Sequence, residues 1–230
     1  MEELYKKTLD RLKAELKKQL PEIEANGDWL WHHPEAGFKE TETQKYCLEV
    51  LKNHGFEACT WPDVTGFTCT YDTGRPGPCV MIMGEMDSLI CYSHPDCNPE
   101  TGAAHACGHS IQVATAMGAF ITLTESGVLE NFGGKVMLAG VPAEECLEIE
   151  WRTREIQKGR LHYLCGKAEL LYRGAFDGVD IVISMHAGLG NDGTITILGS
   201  HNGFISKNVT FQGRSAHAAA DPENGINALY

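Results

Sequence analysis

Hydrophobic positions at the start of the chain recur at helical spacing. Five leucines, separated mainly by Lys and Glu, form one apolar stripe: Leu4, Leu9, Leu12, Leu16 and Leu20. This pattern predicts an amphipathic helix that ends before Pro21, because proline inside a helix removes a hydrogen bond and clashes with the preceding turn. A second helical piece is predicted from Ile23 to Pro34, and Thr41-x-x-Gln44 has the form of a capping box that opens a third helix.

Continuous apolar runs farther along the chain are typical of strands that are covered on both faces. These runs lie at residues 79–83, 135–141 and 180–185, and an alternating run at residues 66–71 predicts a half-buried strand. Helical patterns lie between the buried runs, at residues 110–124 and 167–173, whereas the charged residues 148–158 are not assigned to an element. Strands that alternate with helices predict right-handed crossovers, so we expect an α/β fold with a doubly wound, mostly parallel sheet.

The pattern changes after His186. Alternating residues at 192–198 and 203–211 are typical of antiparallel strands, and a helical pattern follows Pro222 up to the last residue without a cap. We therefore expect a first domain over residues 1–190 and the start of a smaller α+β domain over residues 191–230, both incomplete.

Side chains that can bind metal fall along one edge of the predicted sheet. Asp87, Glu144, Glu145 and His186 lie at the carboxyl ends of strands, and Cys107 and His109 lie where a crossover begins on the same edge. Ligands of doubly wound sheets bind at the carboxyl ends of the strands, so these separate segments are expected to meet at one rim. The sequence therefore predicts a metal site there.

The densest group of ligand-type residues is His105-Ala106-Cys107-Gly108-His109, directly before a buried helix. A thiol and two imidazoles beside a flexible glycine can surround one ion, although His and Cys are also common core residues. A different hypothesis is a thiol hydrolase in which His105 or His109 activates Cys107. That hypothesis gives no role to Glu144, Glu145 or His186.

Paired carboxylates beside a metal can divide the chemistry between them. One binds the ion and the other takes a proton from water whose pKa the ion lowers, which fits Glu144 and Glu145. Asp87 either caps a loop or holds a ligand histidine in the correct tautomer.

Composition limits the possible partners. The formal net charge is −12, from 31 acidic and 19 basic residues, which argues against nucleic acid or an anionic membrane. No apolar run approaches the length of a membrane span, and the start of the chain lacks the hydrophobic region of a signal peptide. Nine cysteines without close pairing indicate free thiols in a reducing compartment, so we expect a cytoplasmic protein.

Several stretches, in order, resemble one known family. They are residues 29–38 (Trp-Leu-Trp-His-His-Pro-Glu-Ala-Gly-Phe), 86–89, 105–109, 142–145, 185–187 and 213–219, followed by Pro222 and residues 225–228. The chain resembles the metal-dependent amidohydrolases related to hippurate hydrolase, indoleacetyl-amino-acid hydrolase and aminobenzoyl-glutamate hydrolase. These enzymes fall within the aminoacylase and carboxypeptidase group of two-metal peptidases.

The resemblance implies a phosphorylase/hydrolase-like catalytic domain that binds two divalent ions, with Zn, Mn, Ni or Co as candidates, and a lid domain through which subunits form a homodimer. The implied substrate is a small N-acyl or N-aroyl amino acid or dipeptide-like molecule, hydrolysed at its amide bond. The residues implied for this chemistry are the ligands Cys107, His109, Glu145 and His186, the general base Glu144, the orienting carboxylate Asp87, and His217, which steadies the oxyanion.

The chain also departs from the family pattern. Ser110 and Gln112 stand where the family usually has Asp and often His, Glu85 stands where Asp is common, and Ile90 replaces a common Pro. Family members are longer, and their remaining part is expected to complete the lid and supply a final ligand histidine. These departures keep open an alternative, a non-catalytic or truncated relative that keeps the fold and only binds a ligand or a partner subunit.

Overall fold

A computed structural model describes residues 2–188, 195, 203, 207 and 209–229. The chain divides into two compact units, residues 1–189 and residues 190–230.

The first unit is built on a five-stranded sheet with the strand order β1-β2-β6-β3-β7. Its strands are β1 (Ala58–Thr60), β2 (Phe67–Asp72), β3 (Cys79–Glu85), β6 (Lys135–Val141) and β7 (Ile181–Ser184). Strand β3 runs parallel to both β6 and β7, while β2 pairs antiparallel with β6 and β1. A separate two-stranded sheet joins β4 (Leu89–Ile90) to β5 (Ala103–Ala104). The mostly parallel α/β sheet predicted from the sequence is confirmed.

One expectation about the sheet is wrong. The apolar run at residues 180–185 predicts a strand covered on both faces, but all four residues of β7 are exposed. In the described part of the chain β7 pairs only with β3, at the edge of the sheet. Hydrophobic residues alone did not distinguish this edge strand from the central strand β3.

The helix α1 (Glu2–His32) is continuous, so the predicted break at Pro21 is wrong. The helix packs along α3 (His109–Glu125) on both sides of the proline. Before it, Gln19 Nε2 donates to Glu125 Oε2 at 2.9 Å, and after it Gly27 packs against Ala114. This packing outweighs the cost of an interior proline, which is about 3 kcal/mol.

Helix α2 (Thr41–Asn53) begins without the predicted capping box. The Glu35 carboxylate instead accepts hydrogen bonds from the backbone N–H groups of Thr41 at 3.1 Å and Thr43 at 2.8 Å. Gln44 does not complete the capping box, because its Oε1 accepts a hydrogen bond from Gly66 N at 2.7 Å. An acidic side chain at a helix N-terminus accepts hydrogen bonds from the free N–H groups, and its negative charge interacts favourably with the helix dipole.

Two shorter helices follow β6. The unassigned charged segment forms α4 (Ile149–Gln157), in which Arg152 is fully buried, and the helix predicted at residues 167–173 is α5 (Gly166–Tyr172). A 3-10 turn, Val128–Asn131, follows α3. No helix in the described ranges is both long and apolar enough to span a bilayer.

The second unit contains one antiparallel bridge, between Arg214 and Ile226, among its described residues. The strand predicted at residues 192–198 and most of the one at 203–211 lie outside the described residues. The expected helix after Pro222 is limited to a 3-10 turn, Pro222–Asn224, and Ile226 is extended instead.

Candidate metal centre

The centre of the candidate site is His109, the first residue of α3, whose side chain is fully buried. Its Nδ1 lies 2.9 Å from the carbonyl oxygen of Asp87 and 3.3 Å from Asp87 Oδ1. A carbonyl oxygen can only accept, so Nδ1 carries a proton. This contact leaves Nε2 as the ring nitrogen available to a metal ion.

Cys107 and His186 lie beside His109. Gly108 has φ of 87°, and this left-handed conformation lets the chain turn sharply between Cys107 and the helix. His186 Nδ1 donates to the carbonyl of Ala187 at 2.7 Å, and its Nε2 lies 3.5 Å from Cys107 Sγ. One ligand atom from each of Cys107, His109 and His186 lies within 4.8 Å of the others. The structure thus brings together three of the four predicted ligands.

These side chains fit a divalent ion. A thiolate and two imidazoles are ligands of zinc and similar transition metals. His109 Nε2 is buried and makes no hydrogen bond to any described residue, which is costly unless another group is bound there. The donor set fits an ion, and the Glu85 carboxylate lies 3.2 Å from the same nitrogen of His109.

Glu144 and Glu145 follow β6 in a strained turn. Ala143 has φ of 50°, and its N–H donates to Glu40 while its carbonyl accepts from Gly166 N at 3.0 Å. Glu145 N donates to Asp87 Oδ2 at 2.9 Å, which fixes the turn against the loop after β3. A Glu144 carboxylate oxygen lies with ligand atoms of His109 and Glu85 in a second group within 4.8 Å.

Electrostatics at the site reflect its many carboxylates. Burial, a hydrogen bond to Glu145 and the charges of nearby glutamates raise the pKa of Cys107 to about 12. Burial lowers the pKa of His109, but the Asp87 hydrogen bond and the charges of Asp87 and Glu85 outweigh it and raise the pKa to about 9. A thiol with so high a pKa is a poor free nucleophile, which argues against the thiol-hydrolase hypothesis. A bound cation would reverse this effect by stabilising the thiolate.

Glu85 and Lys167 are site residues whose roles sequence reasoning missed. Glu85 Oε2 lies 3.2 Å from His109 Nε2, and Lys167 Nζ forms an ion pair with Glu85 and lies 3.6 Å from Glu144 Oε1. In the sequence Glu85 is a departure from the family pattern, and Lys167 is only the first residue of a predicted helix. Nothing local in the sequence connects them.

Glu40 is a further residue that sequence reasoning missed. It is fully buried, accepts a hydrogen bond from Thr65 Oγ1 at 2.5 Å, and accepts another from Ala143 N at 2.7 Å. Burial and the charge of Asp87 raise its pKa to about 8. Lys39-Glu40 resembles an ordinary surface pair in the sequence, so no local signal pointed to it.

The two departures beside His109 have different surroundings. Gln112 accepts a hydrogen bond from Glu85 N at 3.1 Å and donates to Ser184 Oγ at 3.1 Å, so it ties the ends of β3 and β7 together. Ser110 is buried, and its hydroxyl makes no hydrogen bond to the described residues. His105 is also buried, and burial lowers its pKa to about 4.

His217 belongs to the second unit and is exposed there. Its Nδ1 accepts hydrogen bonds from the backbone N–H groups of Ala219 at 3.2 Å and Ala220 at 3.0 Å. The proton of a neutral ring is therefore on Nε2, which can donate to another group.

A mostly parallel α/β sheet with thiol, imidazole and carboxylate groups at its carboxyl rim is an arrangement suited to metal-dependent hydrolysis. No family model matches the chain. The chain is similar to one of the subunits of p-aminobenzoyl-glutamate hydrolase from Escherichia coli, at 33% identity over 72% of this chain and 36% of the relative. It is also similar to indole-3-acetyl-aspartic acid hydrolase from Enterobacter agglomerans, at 31% identity over the same shares of 72% and 36%.

A solved structure shows the same fold. A protein from Bacillus subtilis described as a dinuclear metal binding peptidase from the M20 family aligns with a TM-score of 0.58 at 24% identity, over 76% of this chain and 44% of that one. The chain belongs to the amidohydrolase family of p-aminobenzoyl-glutamate hydrolase and indole-3-acetyl-aspartic acid hydrolase. The chain spans 36% of the length of both curated relatives.

Proposed function

We propose that this chain forms the metal-binding part of a hydrolase that cleaves the amide bond of an N-acyl or N-aroyl amino acid. The observation that carries the proposal is the convergence of Cys107, His109 and His186 ligand atoms within 4.8 Å. These residues come from two segments far apart in the chain, and the backbone carbonyl of Asp87 orients His109 so that Nε2 is the nitrogen available to an ion. The names of the two relatives support the substrate class, since each names an amino acid joined to an acyl or aroyl group.

The proposed ligands are Cys107, His109 and His186, with Glu145 as a fourth that the family resemblance implies. A bound ion lowers the pKa of water and polarises the substrate carbonyl. Among Zn, Mn, Ni and Co, a thiolate with imidazoles favours zinc or cobalt over manganese, which prefers oxygen ligands. The family resemblance implies two such ions.

Glu144 is the proposed general base. Its carboxylate is partly exposed, lies beside His109, and has a pKa that burial and the charge of Glu85 raise. A raised pKa suits a group that accepts a proton from water and then passes it to the leaving nitrogen. Asp87 would hold His109 through Nδ1 and keep Nε2 aimed at the ion.

The remaining parts of the proposal rest on the family resemblance. His217, with Nε2 free to donate, would stabilise the oxyanion of the tetrahedral intermediate. The second unit would begin the lid domain through which two subunits form a homodimer, and the reaction would take place in the cytoplasm.

Hydrolysis assays with and without a chelator test the proposal. The purified chain is loaded with zinc or cobalt and assayed with p-aminobenzoyl-glutamate, indoleacetyl-aspartate and an N-acetyl amino acid. We expect release of the free amino acid that chelation abolishes and added metal restores, and no release by the Glu144→Gln variant. Hydrolysis that is indifferent to chelation would contradict the proposal.

A non-catalytic relative is the second candidate. It is favoured by Gln112, which links Glu85 to Ser184 and is therefore committed to a structural contact. It predicts that the metal-loaded chain binds these conjugates, measured by calorimetry, without turning them over. Measured turnover that Glu144→Gln removes would exclude it.

A further inference from the structure

A second group of ligand-type atoms adjoins the first. Carboxylate oxygens of Glu85 and Glu144 lie within 4.8 Å of each other and of a ring nitrogen of His109. Glu85 is almost fully buried, and its Oε2 lies 3.2 Å from the buried Nε2 of His109. A buried carboxylate such as that of Glu85 needs a positive partner, so this group is a candidate for a second cation position.

The two positions share one ligand atom. Because His109 Nδ1 donates to Asp87, only Nε2 has a lone pair, and one lone pair binds one ion. An ion held by Cys107, His109 and His186 uses that lone pair. The second position then keeps only the oxygens of Glu85 and Glu144 from this group.

A positive charge already lies at that position. Lys167 Nζ forms an ion pair with Glu85 and lies 3.6 Å from Glu144 Oε1, so it bridges the two carboxylates. An ammonium group beside two carboxylates satisfies their charge and repels a second cation.

The backbone holds Lys167 in place. Gly166 N donates to Ala143 O at 3.0 Å, and a Cβ at Gly166 would collide with the carbonyl oxygen of Pro142. The start of α5 therefore packs directly on the turn that carries Glu144. Lys167 is brought to the site by this close contact between two backbone segments, and not by a long flexible loop.

We propose that the Lys167 ammonium replaces the second metal ion, so that this chain binds a single divalent ion tightly, at Cys107, His109 and His186. This inference rests on the proposed metal-dependent function and differs from the dinuclear description of the Bacillus subtilis neighbour. Lys167 acts here as a positioning residue that holds Glu85 and Glu144.

Metal stoichiometry tests the proposal without an activity assay. The full chain is stripped of metal, titrated with cobalt(II) and zinc(II) by calorimetry, and the ions retained after gel filtration are counted by mass spectrometry. We expect one retained ion per native chain. In Lys167→Met a second ion should be retained, with an affinity at least about tenfold higher than any second binding to the native chain.

Charge and fold are controlled by further variants. Lys167→Arg keeps the charge and should retain one ion. Lys167→Gln is a second neutral variant, which should also retain two ions and replaces Lys167→Met if that variant folds poorly. Lys45→Met removes an exposed lysine of α2 that pairs with Glu42 and should leave the count at one.

The outcomes separate the inference from the proposed function. Two tightly bound ions in the native chain, or one ion in both neutral variants, would overturn the role of Lys167 and leave metal-dependent hydrolysis standing. No tightly bound ion in the native chain or any variant would overturn both.

Discussion

The two sides of the metal centre differ in how firmly the fold holds them. His109 is fully buried at the start of α3, and its Nδ1 contacts both the backbone carbonyl and the carboxylate of Asp87. His186 is exposed, follows the exposed strand β7, and makes hydrogen bonds to Ala187 in the next position and to the Cys107 thiol. The comparison teaches that the α3 side is preorganised for an ion, whereas the β7 side depends on the ion to fix it.

The largest expected effect compares the two histidines. His109→Ala should lower cobalt affinity by more than roughly a hundredfold, which is the upper end for losing a group that merely orients a ligand. His186→Ala should lower it less, by about tenfold, because that imidazole is not held in place beforehand. Cobalt titrations of both variants would measure the difference, with Cys107→Ser as the reference for losing a ligand. Equal losses of affinity for the two histidine variants would contradict the comparison.

Stability should show the same contrast in the strands. Met81 of β3 and Val182 of β7 are paired residues, but Met81 is fully buried and Val182 is 44% exposed. Met81→Ala should lower the free energy of unfolding by about 2–5 kcal/mol because it leaves a cavity. Val182→Ala should cost less than about 1 kcal/mol. Urea unfolding of both variants measures this, and similar costs would show that β7 is buried in solution.

Glu40 gives the buried side a characteristic pH dependence. Its pKa rises from 4.5 to about 8 in the folded chain, so the folded state binds an extra proton between these values. The contribution of Glu40 to stability is therefore present at low pH and lost as the pH rises toward 8. Glu40→Gln should flatten the fall in unfolding free energy over this range, because it cannot ionise.

Glu42→Gln is the matched control for that experiment, since Glu42 is exposed on the same turn. The pH profile of the control should follow the native one. If the profile of Glu40→Gln also follows the native one, the carboxyl group of Glu40 is ionised in the folded chain and its pKa is not raised.

The smallest expected effect concerns the group behind His109. Asp87→Asn should lower metal affinity about tenfold, at the low end for a residue that orients a ligand, because the backbone carbonyl of Asp87 still accepts from Nδ1. Cobalt titration of the variant measures this change. A loss as large as that of His109→Ala would show that the carboxylate itself binds the ion.

Local sequence patterns predicted the helices and strands whose structure depends on the residues of one segment alone. The run at residues 135–141 became β6 with the same bounds, and the buried helix after Gly108 formed as expected. The continuity of α1 through Pro21 was missed because it depends on packing along α3, and α4 was missed because its charged residues surround the buried Arg152. Packing between distant segments is not visible in a local pattern.

The candidate site shows the same division. Its ligand types could be predicted, since each lies at the end of a recognisable strand or in the cluster before α3. The bridge from Lys167 to Glu85 and Glu144 could not, because three separate segments meet there only after folding.

X-ray absorption spectroscopy of the zinc-loaded chain tests the central claim most directly, because it counts the atoms around the ion. Sulfur from Cys107 should appear at about 2.3 Å, with nitrogen from His109 and His186 at about 2.0–2.1 Å. The sulfur signal should disappear in Cys107→Ser while the nitrogen signal remains. A native spectrum with only oxygen ligands would contradict the assignment of this rim as the metal centre.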